Sequence, residues 1–313
     1  MIRRTIFFAV VFLKLIPSIS LAQEAKPEQQ KQKLYKYAEP KRKDFGAHGV
    51  FKARTLEFRN QYLTEEKRLW LSEVLYASAN YRPYIIAKLK ERKMPLYLQY
   101  LPIVESNYKP TAVSRSGATG LWQFMANSMS PYLKKNDYYD ERLDPWKETD
   151  AALSKLQENY KTFKDWNLAL AAYNMGAGAV SRILKKHPGK DFWYLAEKGL
   201  LSKQASDYVP KLIAISDIVE NAALYGAIEI GAAKILSESS PTINFSYLKI
   251  KGCIKLETIS SRTGIPLKTL QFLNPGLKKG CTPPKETYSL RLPYGKSKEV
   301  SEKLKKNQNE VHP

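Results

Sequence analysis

The sequence predicts an all-α domain followed by a small α+β domain. Its 313 residues correspond to about two domains at roughly 150 residues each. Between residues 95 and 226 nearly every segment places apolar residues at helical spacing, and strand-like alternation is almost absent. After about residue 239, short alternating apolar segments flank two short helical runs, which is typical of a small mixed unit.

The first 22 residues have the pattern of a secretory signal peptide. Two arginines precede an apolar run over residues 6–13, and small residues stand at the two recognition positions 20 and 22. Lys14 interrupts the pattern, and a retained membrane anchor is the alternative. The run is short for a hydrocarbon core of about 30 Å, so we expect export and cleavage. Residues 23–43 are polar and predict a disordered linker.

The chain is strongly basic, with a formal net charge of +21. Removal of the signal peptide would take away three basic residues and no acid, leaving +18. Such a charge ordinarily suggests nucleic acid, but the polyanions that an exported protein meets are cell walls and membrane surfaces. We therefore expect no nucleic acid, a monomer, and peripheral association with wall polyanions or a membrane surface.

The helical domain is expected over residues 44–238. Thr64 is a candidate cap for a first helix, and a second helix follows Pro83. Asp150 and Asp165 are candidate caps for two later helices, residues 151–160 and 166–173. A last long helix is expected over residues 211–225.

The second domain is expected over residues 239–295 as a β-α-α-β unit, with a basic tail over 296–313. Its two cysteines, Cys253 and Cys281, are the only ones in the chain. In an exported protein we expect them to form one disulfide, worth about 3–4 kcal/mol by restricting the unfolded chain. Two free thiols are the alternative. Two cysteines and three histidines also exclude a multi-cysteine zinc scaffold, and we expect no metal or cofactor.

The stretch with the clearest chemistry is residues 101–106, Leu-Pro-Ile-Val-Glu-Ser. Apolar neighbours around Glu105 would exclude water and raise the pKa of its carboxyl. A helix ending near Asn107 would place the carboxyl at the negative end of the helix dipole, which acts in the same direction. A carboxyl that keeps its proton near neutral pH can serve as a general acid. A solvent-facing glutamate at a helix boundary is the alternative.

Two further segments carry glycines beside polar or aromatic side chains. Residues 114–124 contain Gly117 and Gly120, which permit a tight backbone path into a following helix. Gln123 in that segment is a candidate ligand-binding amide. Residues 171–176, Ala-Ala-Tyr-Asn-Met-Gly, place a phenol and an amide at a helix end.

Together and in this order, these elements resemble the family 1 lytic transglycosylases, whose soluble-lytic-transglycosylase-like domain has a lysozyme-like α fold. The resemblance covers residues 80–226 and rests on Glu-Ser, Gly-Leu-Trp-Gln and Ala-Tyr-Asn-x-Gly elements. Residues 101–106, 139–144 and 208–211 are most similar to the murein transglycosylase D group.

The resemblance implies a peptidoglycan lytic transglycosylase in which Glu105 is the one catalytic residue. It would protonate the MurNAc-β-1,4-GlcNAc oxygen and then deprotonate the MurNAc 6-hydroxyl, giving 1,6-anhydro-MurNAc without consuming water. Trp122 would wall the cleft for a sugar face, and Ala126 stands where relatives carry Pro. The implied substrate-binding residues are Ser106, Ser114, Trp122, Gln123, Tyr173, Asn174 and Tyr208. The implied location is the periplasm or cell envelope of a bacterium.

The second domain resembles a degenerate LysM carbohydrate-binding module. Residues 264–265 and 273–275 match that family, but its Gly-Asp-Thr turn is missing at residues 252–258. Glycan binding and a purely structural role are both open.

Two other functions remain open on the sequence. A muramidase of the goose-type-lysozyme kind would hydrolyse the same bond and use a second carboxylate. A wall-binding scaffold without activity is the other alternative. The candidate second carboxylates are Asp137, Asp140, Glu141, Asp144 and Asp150, of which Asp140 and Asp144 are expected to cap or brace the domain.

Overall fold

The computed structural model describes residues 41–309, with side chains to residue 305. The predicted signal peptide and nearly all of the predicted linker lie outside the described residues. Within the described part, no helix combines the length and apolarity needed to cross a bilayer. The linker's last residues already belong to the folded domain, because Arg42 pairs with Asp217 and Lys43 pairs with Glu220.

The all-α fold predicted for the first domain is confirmed. Its α-helices are α1 (Ala53–Tyr62), α2 (Glu65–Ala77), α3 (Arg82–Glu91), α4 (Leu101–Ser106), α5 (Pro145–Phe163), α6 (Trp166–Met175), α7 (Ala177–Lys186), α8 (Phe192–Glu197), α9 (Lys203–Glu220) and α10 (Ile228–Ser239). Short 3-10 turns cover Ser78–Asn80, Leu96–Tyr100, Ala126–Ser128 and Glu141–Leu143.

The start of α5 corrects a sequence expectation. Asp144, and not Asp150, is its N-cap, and its carboxylate accepts the Lys147 N–H at 3.1 Å. Pro145 occupies the first helical position, where its missing N–H costs nothing. Asp165 caps α6 as expected, accepting the Leu168 N–H at 2.8 Å. The helix α5 therefore begins two turns earlier than the sequence suggested.

The core of this domain surrounds α9. One face of α9 packs against α1, and other parts contact α6 and α4. Apolar side chains from these helices form one continuous buried cluster, which holds the short helix α4 on its surface. The backbone of α4 is therefore fixed on several sides, which positions the residue near its end.

The second domain follows the expected β-α-α-β order. Strand β1 (Phe245–Lys251) pairs antiparallel with β2 (Thr287–Pro293), with Phe245 opposite Pro293. Helices α11 (Leu256–Thr263) and α12 (Leu267–Leu273) lie between the strands in sequence. The segment expected to be a basic tail instead forms helix α13 (Ser297–Asn309), whose Val300 and Leu304 join the core of this domain.

The expected disulfide is not present in the structure. Cys253 is an exposed free thiol and Cys281 is a buried free thiol. Burial, with Cys253 close by, raises the pKa of the Cys281 thiol. The two thiols nevertheless lie near each other, because Cys281 forms a bridge with Lys255, two residues after Cys253.

Buried charges join the two domains. Arg291 of β2 pairs with Asp144 at the start of α5, and both side chains are at most 2% exposed. The guanidinium also lies over the Trp146 and Phe245 rings, at 5.1 and 5.0 Å. The same Asp144 therefore caps a helix of one domain and holds a strand of the other.

Candidate active site

The candidate active site is a cleft of about 340 Å³ with Glu105 in its lining. Glu105 is the penultimate residue of α4, and the helix ends because Asn107 adopts a left-handed backbone (φ 53°). This termination sets the carboxyl at the C-terminal end of the helix, as the sequence predicted. Two larger cavities, of about 500 and 450 Å³, lie elsewhere and include none of the predicted site residues.

The environment of Glu105 favours its protonated form. Burial raises the pKa of the carboxyl to about 7, against a smaller lowering by Tyr208 and Lys155. The Tyr208 hydroxyl donates a hydrogen bond to Oε1 of Glu105. Burial and the nearby carboxyl also raise the pKa of Tyr208 well above its usual value, so it stays a donor. At neutral pH a large fraction of Glu105 can therefore deliver a proton.

The turn that carries Gln123 packs directly against α5. A Cβ on Gly120 (φ 97°) would lie 2.0 Å from the Arg142 carbonyl oxygen and 2.4 Å from Glu148. Only glycine, which has no Cβ, lets the loop backbone come this close to Arg142 and Glu148. The helix expected after Gly120 does not form. Instead Thr119 pairs with Phe124, which closes residues 119–124 into a tight loop.

Arg142 and Tyr173 hold this loop in place. The Arg142 guanidinium donates to the Phe124 carbonyl at 3.3 Å while it pairs with Asp140 at 2.7 Å. Although burial opposes it, Arg142 lowers the pKa of Asp140. The Tyr173 hydroxyl donates to the Trp122 carbonyl at 2.9 Å. The loop is therefore fixed before any ligand arrives.

Five predicted residues meet in the cleft lining: Glu105, Ser114, Gln123, Tyr173 and Asn174. The amide nitrogen of Gln123 is used internally, donating to the Gly120 carbonyl at 2.8 Å. Only its carbonyl oxygen is then available to a ligand hydroxyl. Tyr208 reaches the site from α9 through its bond to Glu105 and is 4% exposed.

Two predicted ligand contacts are corrected by the structure. Trp122 is fully buried, and its indole N–H donates to the Thr149 hydroxyl at 3.0 Å, so it forms no wall for a sugar. Ser106 is also buried, and its hydroxyl donates to the Leu121 carbonyl at 2.8 Å. Both side chains tie the loop to α4 and α5 rather than facing the cleft.

Glu148, a buried acid behind the loop, was not predicted from the sequence. It is completely inaccessible, and neither carboxylate oxygen has a hydrogen-bond partner among the described residues. Burial raises the pKa of Glu148 well above its usual value. The backbone N–H groups of Leu121 and Trp122 face it and oppose this rise, whereas Glu105 adds to it. Its burial therefore favours the protonated form of the carboxyl.

Lys155, which lines the same cleft as Glu105, was not predicted either. Its ammonium lies 5.1 Å from the centre of the Tyr173 ring and 5.3 Å from that of Phe124. Burial lowers the pKa of Lys155, and Glu105 opposes that change. Glu148 and Lys155 are seven residues apart, which places both on one face of a helix. That spacing was the available signal, but it required the correct start of α5.

The five candidate second carboxylates lie outside the cleft lining. Asp140 caps the 3-10 turn Glu141–Leu143 and Asp144 caps α5, as expected. Glu141 pairs with Lys147 at 2.6 Å, and Asp150 accepts from Tyr84 at 2.8 Å. Asp137 is exposed. Among the described residues, Glu105 is therefore the one carboxylate in the cleft lining, and no cluster of side chains there could hold a metal ion.

The site is thus a polar cleft in an α-helical domain, with a single partly buried acid in its described lining, and the family comparisons identify the class of protein that has it. Residues 82–196 match the transglycosylase SLT domain, and residues 244–309 match the LysM-like domain of lytic transglycosylase MltD. The chain thus contains an SLT transglycosylase domain followed by a LysM-like domain of the MltD kind.

The chain is homologous to membrane-bound lytic murein transglycosylase D of Escherichia coli strain K12. The two are 33% identical over 231 residues, which is 72% of this chain and 48% of the relative. The chain therefore spans about half the length of this relative. A protein of Alteromonas sp. strain M-1 named for tributyltin chloride resistance is 34% identical over 113 residues, 35% of this chain and 54% of that protein.

Proposed function

We propose that the protein is a peptidoglycan lytic transglycosylase that cleaves the MurNAc-β-1,4-GlcNAc bond and forms 1,6-anhydro-MurNAc. The observation that carries the proposal is Glu105, a partly buried acid with a pKa near 7 in a cleft with no second carboxylate in its described lining. The homology to an enzyme named lytic murein transglycosylase D supports the same reaction.

Glu105 serves first as acid and then as base. Its proton goes to the bridging oxygen, which leaves with the GlcNAc side and a cationic charge develops at C1 of MurNAc. The resulting carboxylate, stabilised by the Tyr208 hydroxyl, takes the proton of the MurNAc 6-hydroxyl. That oxygen closes on C1, so the catalytic acid is regenerated and no water is consumed.

A single-carboxylate cleft favours this route over hydrolysis. Glycosidases ordinarily place a second carboxylate about 5–9.5 Å from the acid, to attack the sugar or activate water. Glu148 is the nearest new candidate, but it is fully buried behind the loop and has a strongly raised pKa. It therefore does not line the cleft, and its burial favours the protonated form, which cannot act as a base.

We place the reaction in the bacterial cell envelope. The relative with 33% identity is named a membrane-bound enzyme, and residues 1–22 carry the pattern of an export signal. Peptidoglycan strands are then the partner, and the basic surface suits peripheral contact with wall polyanions or lipid headgroups. One chain supplies the whole described cleft, which fits a monomer.

The decisive test is the mass of the products released from purified sacculi. The wild type should release muropeptides that lack one water, roughly 18 Da, relative to hydrolytic products. The Glu105→Gln variant should release none, because an amide cannot supply the proton, and we expect a loss of at least about 10³-fold. The matched control is Glu73→Gln, an exposed residue of α2. Reducing-end products alone would support the muramidase, and binding without any release would support the scaffold.

A further inference from the structure

The one cation in the described cleft lining is Lys155, which Glu105 influences electrostatically without forming an ion pair with it. Lys155 donates to the Ser128 hydroxyl at 3.3 Å, and no carboxylate of the described residues lies within ion-pair distance. Its stem and ammonium lie against the Phe124 and Tyr173 rings. The ammonium is thus held in a fixed place at the edge of the cavity.

Most comparable cations elsewhere in the described chain are paired, although half-buried Lys211 lies over the Phe58 ring without an ion-pair partner. Arg82, Arg142 and Arg291 are all buried and each contacts a carboxylate. Half-buried Lys147 pairs with Glu141. Withdrawing a cation from water is costly unless a partner compensates, so an unpaired one that faces a cavity points to a partner outside the protein.

The proposed substrate carries a suitable partner near the reacting bond. Each muramoyl sugar bears a lactyl ether, which ends in a free carboxylate when the peptide has been removed. When the peptide is present, its own carboxylates hang from the same group. Either source presents one anionic oxygen pair beside the sugar whose C1 reacts at Glu105.

We propose that Lys155 is a specificity residue that binds a carboxylate carried by the muramoyl unit. This inference rests on the proposed function, since it assumes a muramoyl sugar at Glu105. If the proposal is correct, this one side chain of α5 makes the protein prefer anionic glycans over neutral ones. The neighbouring aromatic rings orient the lysine stem, and Ser128 takes one of its three protons, leaving the others for the ligand.

The test compares three substrates: peptide-free glycan strands, the same strands with their carboxylates converted to carboxamides, and peptide-bearing strands. Lys155→Met keeps the apolar stem and removes the charge, while Lys155→Arg keeps the charge. Lys161→Met, exposed on the same helix, is the matched control. Assays run well below neutral pH, so that the proton on Glu105 is retained in every variant.

We expect Lys155→Met to raise KM on carboxylate-bearing strands by about tenfold or more, with a smaller change in kcat. Lys155→Arg should restore most of the affinity. On carboxamide strands, wild type and Lys155→Met should have the same KM. An effect on peptide-free strands assigns the lactyl carboxylate as the ligand, and an effect confined to peptide-bearing strands assigns the peptide. An equal loss on carboxylate and carboxamide strands, or no loss on any strand, overturns the proposal.

A binding series separates this proposal from the proposed function. In the Glu105→Gln background, affinity for each strand is measured without turnover, with and without Lys155→Met. A carboxylate-dependent loss of affinity there would support Lys155 even if the wild type released no anhydro product. Normal anhydro product together with charge-independent binding would retain the reaction and refute the role of Lys155.

Discussion

The domain boundary and the cleft both bury ionisable groups, but they treat them in opposite ways. At the boundary, Arg291 meets Asp144 and Arg142 meets Asp140, so every guanidinium faces a carboxylate. In and behind the cleft, Glu105, Glu148 and Lys155 have no oppositely charged partner at ion-pair distance among the described residues. Both regions contact the same helix, α5, at its start and along its next turns.

The difference shows what each region contributes. Paired buried charges hold their two elements in place, because removal of one partner leaves the other charge buried without solvation. Unpaired buried acids instead take up protons, so their pKa values move toward the pH at which they can act. Asp144 and Glu148, four residues apart, illustrate both outcomes on one helix.

The largest expected effect comes from breaking the boundary pair. Arg291→Met should lower the free energy of unfolding by about 3–5 kcal/mol, because Asp144 remains buried without its partner. Adding Asp144→Asn, which keeps a capping oxygen, should recover much of that loss. Denaturant unfolding measures both, with exposed Arg262→Met as the control. A double variant no more stable than the single one would show that the pair is not the cause.

The next largest effect is expected from replacing Glu148, an acid without an ion-pair partner among the described residues. Glu148 has a folded-state pKa well above its unfolded value, so the folded state holds a proton that the unfolded state releases above about pH 4.5. Stability therefore falls as pH rises through this window, by about 1.4 kcal/mol per pH unit for one proton. Glu148→Gln should remove that slope, so the variant should gain stability relative to wild type as the pH rises from 5 to 7.

Unfolding measured at several pH values tests this expectation. The control Glu73→Gln should keep the wild-type slope. If wild type and Glu148→Gln show parallel pH dependence, Glu148 is ionised in the folded protein, and the region behind the loop is better solvated than the structure indicates.

Much of the fold was predictable because local signals decide it. Asp165 followed by an apolar helical run predicts α6, and the alternation near residues 288–292 predicts β2. The start of α5 was not predictable in this way, since Asp144-Pro145 and Asp150 are both acceptable helix starts. Packing of the loop and of Arg291 against Asp144 selects the earlier one.

The candidate site was predictable only in part, because several of its contacts also depend on packing between distant segments. Glu105 stands out because apolar residues surround it in sequence and a left-handed residue ends its helix. Trp122 points into the core, whereas Gln123 points toward the cleft. These two directions are set by the packing of the loop against Glu148, which the sequence motif alone does not reveal. The bond from Tyr208 spans 103 residues of chain, so no local pattern encodes it.

The smallest of these effects concerns the pH dependence of the unpaired acid in the cleft. If the protonated form of Glu105 starts the reaction, kcat/KM should fall as pH rises through about 7, the pKa of the free protein. Its raised pKa also means that stability is lost between about pH 4.5 and 7, so Glu105→Gln should be more stable than wild type at pH 8 by about 1–2 kcal/mol. That gain is smaller than for Glu148 because part of Glu105 faces the cleft. A kcat/KM that stays constant from pH 5.5 to 8.5, or a Glu105→Gln variant less stable than wild type at pH 8, would place Glu105 with the boundary carboxylates as an ordinary ionised group.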